Sequence, residues 1–244
     1  LYYISEKSQN QIAEELGISV TTVSRLLKRA KEEKIIEFVI RDPFVECIEV
    51  ERQLKELLGI KEVIIAPAVS IEDIDNQEDP ENVKKLVALE AARYLQRIIK
   101  KGDVIGFTWG STVYQMINYL NPAQKVEADF VTLHGSLASS VAEWDVRTLV
   151  TRSAKAFSGK KHILLTDTLM SSPEITELLK NEKSIAQVYE MFDRVNIAIN
   201  GIGAFYPKTS TVLAKPEYLP PKDLDELRAQ GVVGDLIVRF IDIN

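Results

Sequence analysis

Two short amphipathic helices are the first elements that the spacing of apolar residues predicts. Ser8 and Gln11 have the spacing of a capping box, and the narrow apolar stripe that follows them ends at Gly17. The apolar residues of a second helix fall at i, i+3, i+4 and i+7 on one face: Val23, Leu26, Leu27 and Ala30. The β-rich residues 35–40 predict a short wing strand. Residues 1–42 therefore predict a small helical domain with a strand at its end.

A third helix is predicted over residues 44–58. Its apolar residues follow a 3-4-3 spacing over two heptads: Cys47, Val50, Leu54 and Leu57. Such a seam is typical of contact between two chains, but a helix that packs on its own domain shows the same pattern. We interpret residues 43–60 as a linker or dimerisation helix, and the pattern leaves both alternatives open.

From residue 61 onward, apolar strands alternate with amphipathic helices. The predicted strands span residues 62–66, 104–108, 130–133, 162–165 and 195–199. The predicted helices span residues 83–98, 111–120, 143–157 and 173–191. This alternation is typical of a mostly parallel sheet covered by helices on both faces. The sequence therefore predicts an α/β domain over residues 61–244.

Composition narrows the class of protein. The 244 residues are 45% hydrophobic and 27% charged, which excludes disordered and collagen-like chains. Cys47 is the only cysteine, so an intramolecular disulfide is excluded and a reducing, cytoplasmic setting is expected. No apolar run approaches the roughly 20 residues that span a bilayer, and no signal peptide is visible, so no membrane partner is predicted. Because Leu1 is not Met, we expect the natural N-terminus upstream.

Charge is distributed unevenly along the chain. The net charge is −6, yet residues 1–41 carry seven Lys and Arg against six Asp and Glu. The remaining residues carry 23 basic against 30 acidic side chains. A slightly basic head on an acidic body favours a head that meets a polyanion, although a solvated helix face gives the same balance.

The first two predicted helices have the spacing of a helix-turn-helix. Ala13 is small where the helices cross, Gly17 permits a left-handed turn, and Ile18 and Val23 can pack the helices together. The polar residues near the start of the second helix have the reach to contact base edges and phosphates: Ser19, Thr21, Thr22, Ser24, Arg25 and Lys28. Residues 1–42 are thus predicted to be a winged helix-turn-helix domain that binds double-stranded DNA. The alternative is a helical hairpin whose polar face is only solvated.

A glycine turn between a predicted strand and a predicted helix is a candidate anion site. The backbone N–H groups after Gly110, with the hydroxyls of Ser111 and Thr112, can form a nest for an anion. The segment contains neither the lysine of a phosphate-binding P-loop nor the dinucleotide-binding glycine pattern. A plain strand-to-helix turn capped by Ser111 is the alternative, and the pattern leaves it open.

Two further segments follow predicted strands, where open α/β sheets bind ligands. One contains His134 and Gly135, and the other ends at Gly203; either is also compatible with a tight turn. His134 and His162 have no partners at a metal-ligand spacing, so no metal site is predicted. We predict no catalytic residue and no cofactor.

These segments together resemble the SorC family of sugar-sensing bacterial transcriptional regulators, which includes deoxyribonucleoside-type repressors. The resemblance runs through nearly the whole chain and rests on residues 1–3, 8–9, 12–27, 106–112, 200–203, 231–235 and 239–242. It implies a Rossmann-like effector domain related to ribose-phosphate isomerases and glucosamine-phosphate deaminases. It also implies a phosphorylated sugar as effector and a homo-oligomer, dimer or tetramer, on operator DNA.

Carried over residue by residue, the resemblance assigns an effector site. Gly110, Ser111 and Thr112 would cradle the phosphate, and Asp235 matches an acidic position that can bind sugar hydroxyls. His134 stands where relatives often have Lys or Arg before a Gly-Gly pair, which is Gly135-Ser136 here. Gly135 and Gly203 complete the predicted set. The family continues with a further strand, a lysine that commonly neutralises the phosphate, and a last helix, so we expect that lysine beyond Asn244.

Two other functions compete with a regulator. A sugar-phosphate isomerase or deaminase joined to a DNA-binding head would need a general base, and Asp167 and Asp235 are the candidates. A head joined to an oligomerisation body without a ligand would need no pocket at all. The sequence favours a transcriptional regulator that binds operator DNA and responds to a phosphorylated sugar.

Overall fold

The computed structural model describes residues 2–3, 7–33, 35, 45–66, 80–122, 125–137, 143–205, 209–215 and 218–242. The chain divides into two compact units, Leu1–Val63 and Ile64–Asn244. The boundaries predicted near residues 42 and 60 remain predictions.

The first unit contains three described helices: α1 (Gln9–Leu16), α2 (Val20–Glu32) and α3 (Val45–Leu58). The capping box at the start of α1 is confirmed, because Ser8 Oγ accepts from the Gln11 N–H and Gln11 Oε1 accepts from the Ser8 N–H. Gly17 ends α1 with φ 65°, in the left-handed region that a glycine adopts without strain. The sequence therefore determines both ends of this helix locally.

Fewer apolar residues are buried between α1 and α2 than the periodicity predicted. Ile12, Ala13 and Val23 are buried together, with Ile18 and Leu27 packed against them. Leu26, which the periodicity assigned to the buried face, is 51% exposed and does not belong to this cluster. Of the predicted wing, only Ile35 lies within the described residues.

The second unit contains both helices and strands. Its described helices are α4 (Pro80–Ile98), α5 (Ser111–Asn118), α6 (Val146–Phe157), α7 (Pro173–Lys180), α8 (Lys183–Phe192) and α9 (Pro221–Ala229), with a 3-10 turn at Val212–Ala214. Its described strands are β1 (Val104–Phe107), β2 (Asp129–Thr132), β3 (Lys160–His162), β4 (Ile197–Ile199), β5 (Ile202–Ala204), β6 (Val232–Leu236) and β7 (Arg239–Asp242).

Four strands form the predicted parallel sheet, in the order β3-β2-β1-β4. All four residues of the central strand β1 are buried. Ile105 and Phe107 pack on one face among residues of α4, α5 and α6, and Val104 packs on the other among residues of α8. The sheet covered on both faces is thus confirmed, and each large apolar side chain in it contributes about 1.5–3 kcal/mol by burial.

A second sheet, antiparallel and in the order β5-β6-β7, was not predicted from the sequence. Its strands are short, and β7 is exposed along its whole length, so the apolar alternation that marks a strand is weak. Gly203 on β5 lies opposite Asp235 on β6. This pairing brings together two predicted site residues that are far apart in the chain.

Three predicted elements are wrong in detail. Residues 62–66 form no strand, since no described strand pairs with them. The strand predicted over 162–165 ends at His162, because β2 ends there and the Leu164 N–H donates to the Thr132 hydroxyl. The helix predicted over 173–191 is two helices, and the Asn181 side chain donates to the Glu177 carbonyl at the break. Among the described residues, no helix has both the length and the apolarity to cross a bilayer.

Candidate functional site

The first candidate surface is the start of α2. Ser19 Oγ accepts from the Thr22 N–H at 3.1 Å and lies 2.8 Å from the Thr21 and Thr22 hydroxyls. Ser19 therefore acts first as the helix cap, and its hydroxyl holds the two threonines in place. Thr21 and Ser24 are exposed beside it, whereas Thr22 is half-buried. The predicted DNA-contacting residues thus form one polar patch at the N-terminus of a helix, where an anion is favoured.

The cations of α2 differ in how far they are engaged. Lys28 Nζ lies 3.8 Å from Glu32, and Arg29 Nε donates to Glu33 at 2.7 Å. Both pairs are exposed, so each is worth about 0–1 kcal/mol and is easily exchanged for a phosphate. No described acidic side chain pairs with Arg25, which is exposed and lies six residues after the Ser19 cap. Its guanidinium has the planar donor geometry that suits a guanine edge or a phosphate.

The second candidate site is a cavity of about 230 Å³ in the second unit. Thr108, His134 and Gly201 line it and lie directly beyond the carboxyl ends of β1, β2 and β4. Open α/β sheets bind ligands at this edge. Six of the seven predicted effector residues line the cavity: Gly110, Ser111, Thr112, His134, Gly203 and Asp235.

The predicted Gly135 is not among the residues that line this cavity. It packs instead against the backbone of a neighbouring segment. The contact is so close that a Cβ at this position would collide with the Thr166 carbonyl oxygen. The Gly135 carbonyl also accepts from the Thr168 hydroxyl at 2.6 Å. Gly135 allows two loops to approach closely behind His134.

The turn before α5 leaves its backbone donors uncapped. Gly110 is the N-cap residue with φ 140°, a value that L side chains rarely adopt, and no side chain caps the helix. Ser111 is the first helical residue, so the alternative of a turn capped by Ser111 does not hold. The first N–H groups of α5 have no helical acceptors, and they carry the positive end of the helix dipole. This end of the cavity can therefore bind an anion.

His134 holds the preceding residue of that turn. Its Nε2 accepts from the Trp109 N–H at 3.0 Å, and its Nδ1 donates to the Gly135 carbonyl at 2.6 Å. The side chain is buried, and burial lowers the pKa of His134 to about 4, so the ring is neutral at neutral pH. Both ring nitrogens are used within the protein, which leaves the ring edge and the Trp109 ring, 4.3 Å away between centroids, to face the cavity.

Asp235 provides the one carboxylate among the described residues that line the cavity. It is only 5% exposed, and its Oδ1 has no hydrogen-bond partner among the described residues. Burial raises the pKa of Asp235, and a hydrogen bond from Thr211 partly opposes this shift. A Cβ on Gly203 would collide with Oδ1, so the glycine makes room for the carboxylate. An unpartnered buried carboxylate oxygen is costly for the fold, and a ligand hydroxyl would satisfy it.

Sequence reasoning missed four polar or aromatic residues that line the cavity: Lys84, Trp144, Ser210 and Thr211. Lys84 lies on α4 beside Lys85, and its spacing carries no signal that distinguishes it. Thr211 precedes the 3-10 turn, where its hydroxyl accepts from the Leu213 N–H. Asp167, the other candidate base, pairs through its backbone with Ser136 and does not line the cavity.

Two known families match the chain. The family described as "Putative sugar-binding domain" matches residues 42–244. The family described as "Sigma-70, region 4" matches residues 1–33, which include α1 and α2. Each match falls on one of the two candidate sites.

Whole-length relatives give the same picture. The chain is 29% identical over 246 residues to the sorbitol operon regulator of Klebsiella pneumoniae, covering 100% of this chain and 75% of that protein. It is 29% identical over 244 residues to the deoxyribonucleoside regulator of Bacillus subtilis (strain 168), covering 99% and 74%. The crystal structure of the full-length regulator SorC from Klebsiella pneumoniae matches with a TM-score of 0.75 at 29% identity, covering 100% of this chain and 77% of that one.

Proposed function

The chain belongs to the sugar-binding-domain family and to the SorC family of transcriptional regulators, and from this premise we propose that its effector is a small phosphorylated sugar. It is a DNA-binding regulator with a helix-turn-helix and a sugar-binding domain. The observation that carries the proposal is a single cavity that contains two contrasting groups. One is the uncapped start of α5, and the other is the unpartnered oxygen of Asp235.

The start of α5 suits a phosphate group. Hydrogen bonds from backbone N–H groups to a charged oxygen contribute about 1.5–3 kcal/mol each, and the helix dipole adds about 0.3–1 kcal/mol. The hydroxyls of Ser111 and Thr112 lie at the same place and can donate to further phosphate oxygens. An anion with several oxygens therefore uses these donors better than a neutral hydroxyl does.

The Asp235 carboxylate suits a ligand group that donates a hydrogen bond. A sugar hydroxyl that donates to Oδ1 forms a charge-assisted hydrogen bond and satisfies the buried oxygen. An anion beside Asp235 would meet a carboxylate instead. The ligand therefore carries both a charged group and hydroxyls. The cavity of about 230 Å³ is smaller than the roughly 300–1,000 Å³ of drug-sized sites. A monosaccharide phosphate fits this description.

The DNA end of the proposal is the polar patch on α2. One helix-turn-helix reads one half-site, so useful specificity needs at least a homodimer. The seam residue Leu57 on α3 is 79% exposed, and Val50 is also exposed, which makes α3 the proposed contact between chains. Such a regulator acts on the chromosome in the bacterial cytoplasm. Effector and operator would favour different arrangements of the assembly, and a coupling of about 1–3 kcal/mol gives a 5- to 150-fold response.

Binding without turnover is the remaining part of the proposal. The isomerase or deaminase alternative needs a general base in the cavity, and Asp235 is the only described candidate there. The neutral ring of His134 has both nitrogens engaged and is not placed to move a proton to a substrate. We expect incubation with pentose and hexose phosphates to leave them unchanged by NMR, whereas steady conversion would favour the enzyme.

Thermal denaturation with matched pairs of sugars tests the effector class. Each pentose or hexose phosphate is compared with its unphosphorylated parent at equal concentration. A ligand at about 100 times its Kd stabilises the fold by about 2.7 kcal/mol, which raises Tm by roughly 5–10 °C for a domain of this size. We expect at least one phosphate to do this and its parent to do far less. A neutral sugar that raises Tm while no phosphate does would overturn the phosphate assignment.

A further inference from the structure

We infer that Lys84 supplies the cation of the phosphate subsite and that a bound phosphate takes this cation from Glu81. The inference rests on the proposed function, since it concerns the same cavity. It adds a residue from α4 that neither the sequence motifs nor the resemblance identified. It also implies that Glu81 competes with the phosphate of the effector for the Lys84 ammonium group.

The position of Lys84 is fixed by the packing of α4. Ala88 lies one turn further along the same helical face and is completely buried in the core that α4 shares with α5. Lys84 therefore lies on the side of α4 that faces α5, and it lines the cavity together with Ser111 and Thr112. The adjacent Lys85 is exposed and does not line the cavity.

Charge in the cavity makes this position significant. Among the described residues that line it, Lys84 is the only Lys or Arg, and Asp235 is the only Asp or Glu. The described lining residues at the start of α5 offer a phosphate only dipoles and hydroxyls. A lysine ammonium is a compact point charge on a flexible stem and is well suited to a phosphate oxygen.

Glu81 holds Lys84 when no phosphate is bound. Lys84 Nζ donates to Glu81 Oε1 at 2.6 Å, and the side chain of Glu81 is half exposed. Exposed ion pairs of this kind contribute little to stability, so the exchange of partners is inexpensive. Glu81 lies in the first turn of α4, where the helix dipole favours a carboxylate even after Lys84 has left. The lysine can thus exchange a carboxylate for a phosphate within the cavity that it lines.

Titration with inorganic phosphate tests this inference, with the full chain and four variants measured by calorimetry. We expect K84M to weaken phosphate binding about tenfold or more, and K84R to retain most of it. K85M is the matched control and should stay within about twofold, because Lys85 carries the same charge outside the cavity. E81Q should bind phosphate about two- to fivefold more tightly, because Lys84 then has no charged competitor.

The outcomes separate the inference from the proposal on which it rests. If the unaltered chain binds no phosphate, the proposed phosphate subsite itself is wrong. If it binds phosphate and K84M binds equally well, or K84M and K85M weaken binding equally, the role of Lys84 is overturned. If K84M does not fold, E81Q decides alone, and unchanged or weaker phosphate binding by E81Q contradicts the exchange.

Discussion

The α2 surface and the cavity of the second unit, the two candidate sites, are built in opposite ways. The α2 surface is exposed and is built from consecutive residues, and its cations form weak pairs that a phosphate backbone can replace. The cavity is lined by residues that lie between positions 84 and 238 of the chain, and its important groups are buried and few. A single substitution should therefore reduce DNA binding by the α2 surface only partly, whereas a single substitution in the cavity should have a large effect on stability or ligand binding.

The buried His134 offers the largest test of this contrast. Its pKa is about 4 in the folded chain and about 6.5 when unfolded, so the folded state binds fewer protons between these values. The stability from the neutral ring is present above about pH 6.5 and is lost as pH falls toward 4, by about 3 kcal/mol. Denaturant unfolding of the wild type and H134Q across this range measures it, and H134Q should lack this part of the pH dependence. Equal pH profiles would contradict a buried neutral imidazole.

Gly203→Ala tests how closely the cavity is packed. The added Cβ would collide with Asp235 Oδ1 and lie 2.8 Å from Thr211 Cβ, so the β5–β6 pair must shift. We expect a loss of about 1–3 kcal/mol in the free energy of unfolding, together with loss of sugar-phosphate binding. Gly201→Ala is the matched control, because an added Cβ there meets nothing within 4 Å. If G201A and G203A unfold alike, the close approach at Gly203 is not what shapes the cavity.

Arg25→Ala tests the exposed surface and should leave the cavity unaffected. If Arg25 reads a base, operator affinity falls by about 1–3 kcal/mol and specificity relaxes at one position. Lys28→Ala should weaken all DNA sequences about equally and lower the salt slope by about one ion. Arg29→Ala is the control, since Arg29 carries the same charge on the same helix but is not among the predicted DNA-contacting residues. Binding measured by fluorescence anisotropy at several salt concentrations separates the three, and equal effects would remove Arg25 from the base-reading role.

The same contrast explains what could be predicted from the sequence. Ser8, Gly17 and Ser19 act on neighbours within a few residues, so helix ends and the helix-turn-helix spacing were predictable. The parallel sheet was predictable because β1 is apolar throughout. Asp235 was found through the resemblance, but its partner Gly203 lies opposite it only because β5 pairs with β6. Lys84 could not be found, since its place depends on how α4 packs against α5.

His134 shows a further reason why parts of the candidate site could not be predicted from the sequence. Residue type and position at a strand end indicated a ligand contact, but the structure gives both ring nitrogens protein partners. Which hydrogen bonds a buried imidazole makes depends on the backbone around it, here Trp109 and Gly135. The assignment of individual effector contacts therefore remains a prediction, and so does the relation to sugar-phosphate isomerases.

The central claim is that Asp235 is kept for a ligand at a cost to the fold, and Asp235→Asn tests it most directly. Asn is nearly the same size but carries no charge, so the ligand-free fold no longer buries a charged group with one unpartnered oxygen. Because burial raises the folded pKa of Asp235, its destabilising effect is absent below the unfolded value of about 3.9 and grows as pH rises through the folded pKa. We predict that D235N has a Tm at neutral pH equal to or above that of the wild type, while the best sugar phosphate stabilises it far less. A D235N chain that melts lower and is stabilised by that sugar phosphate as strongly as the wild type would contradict the account.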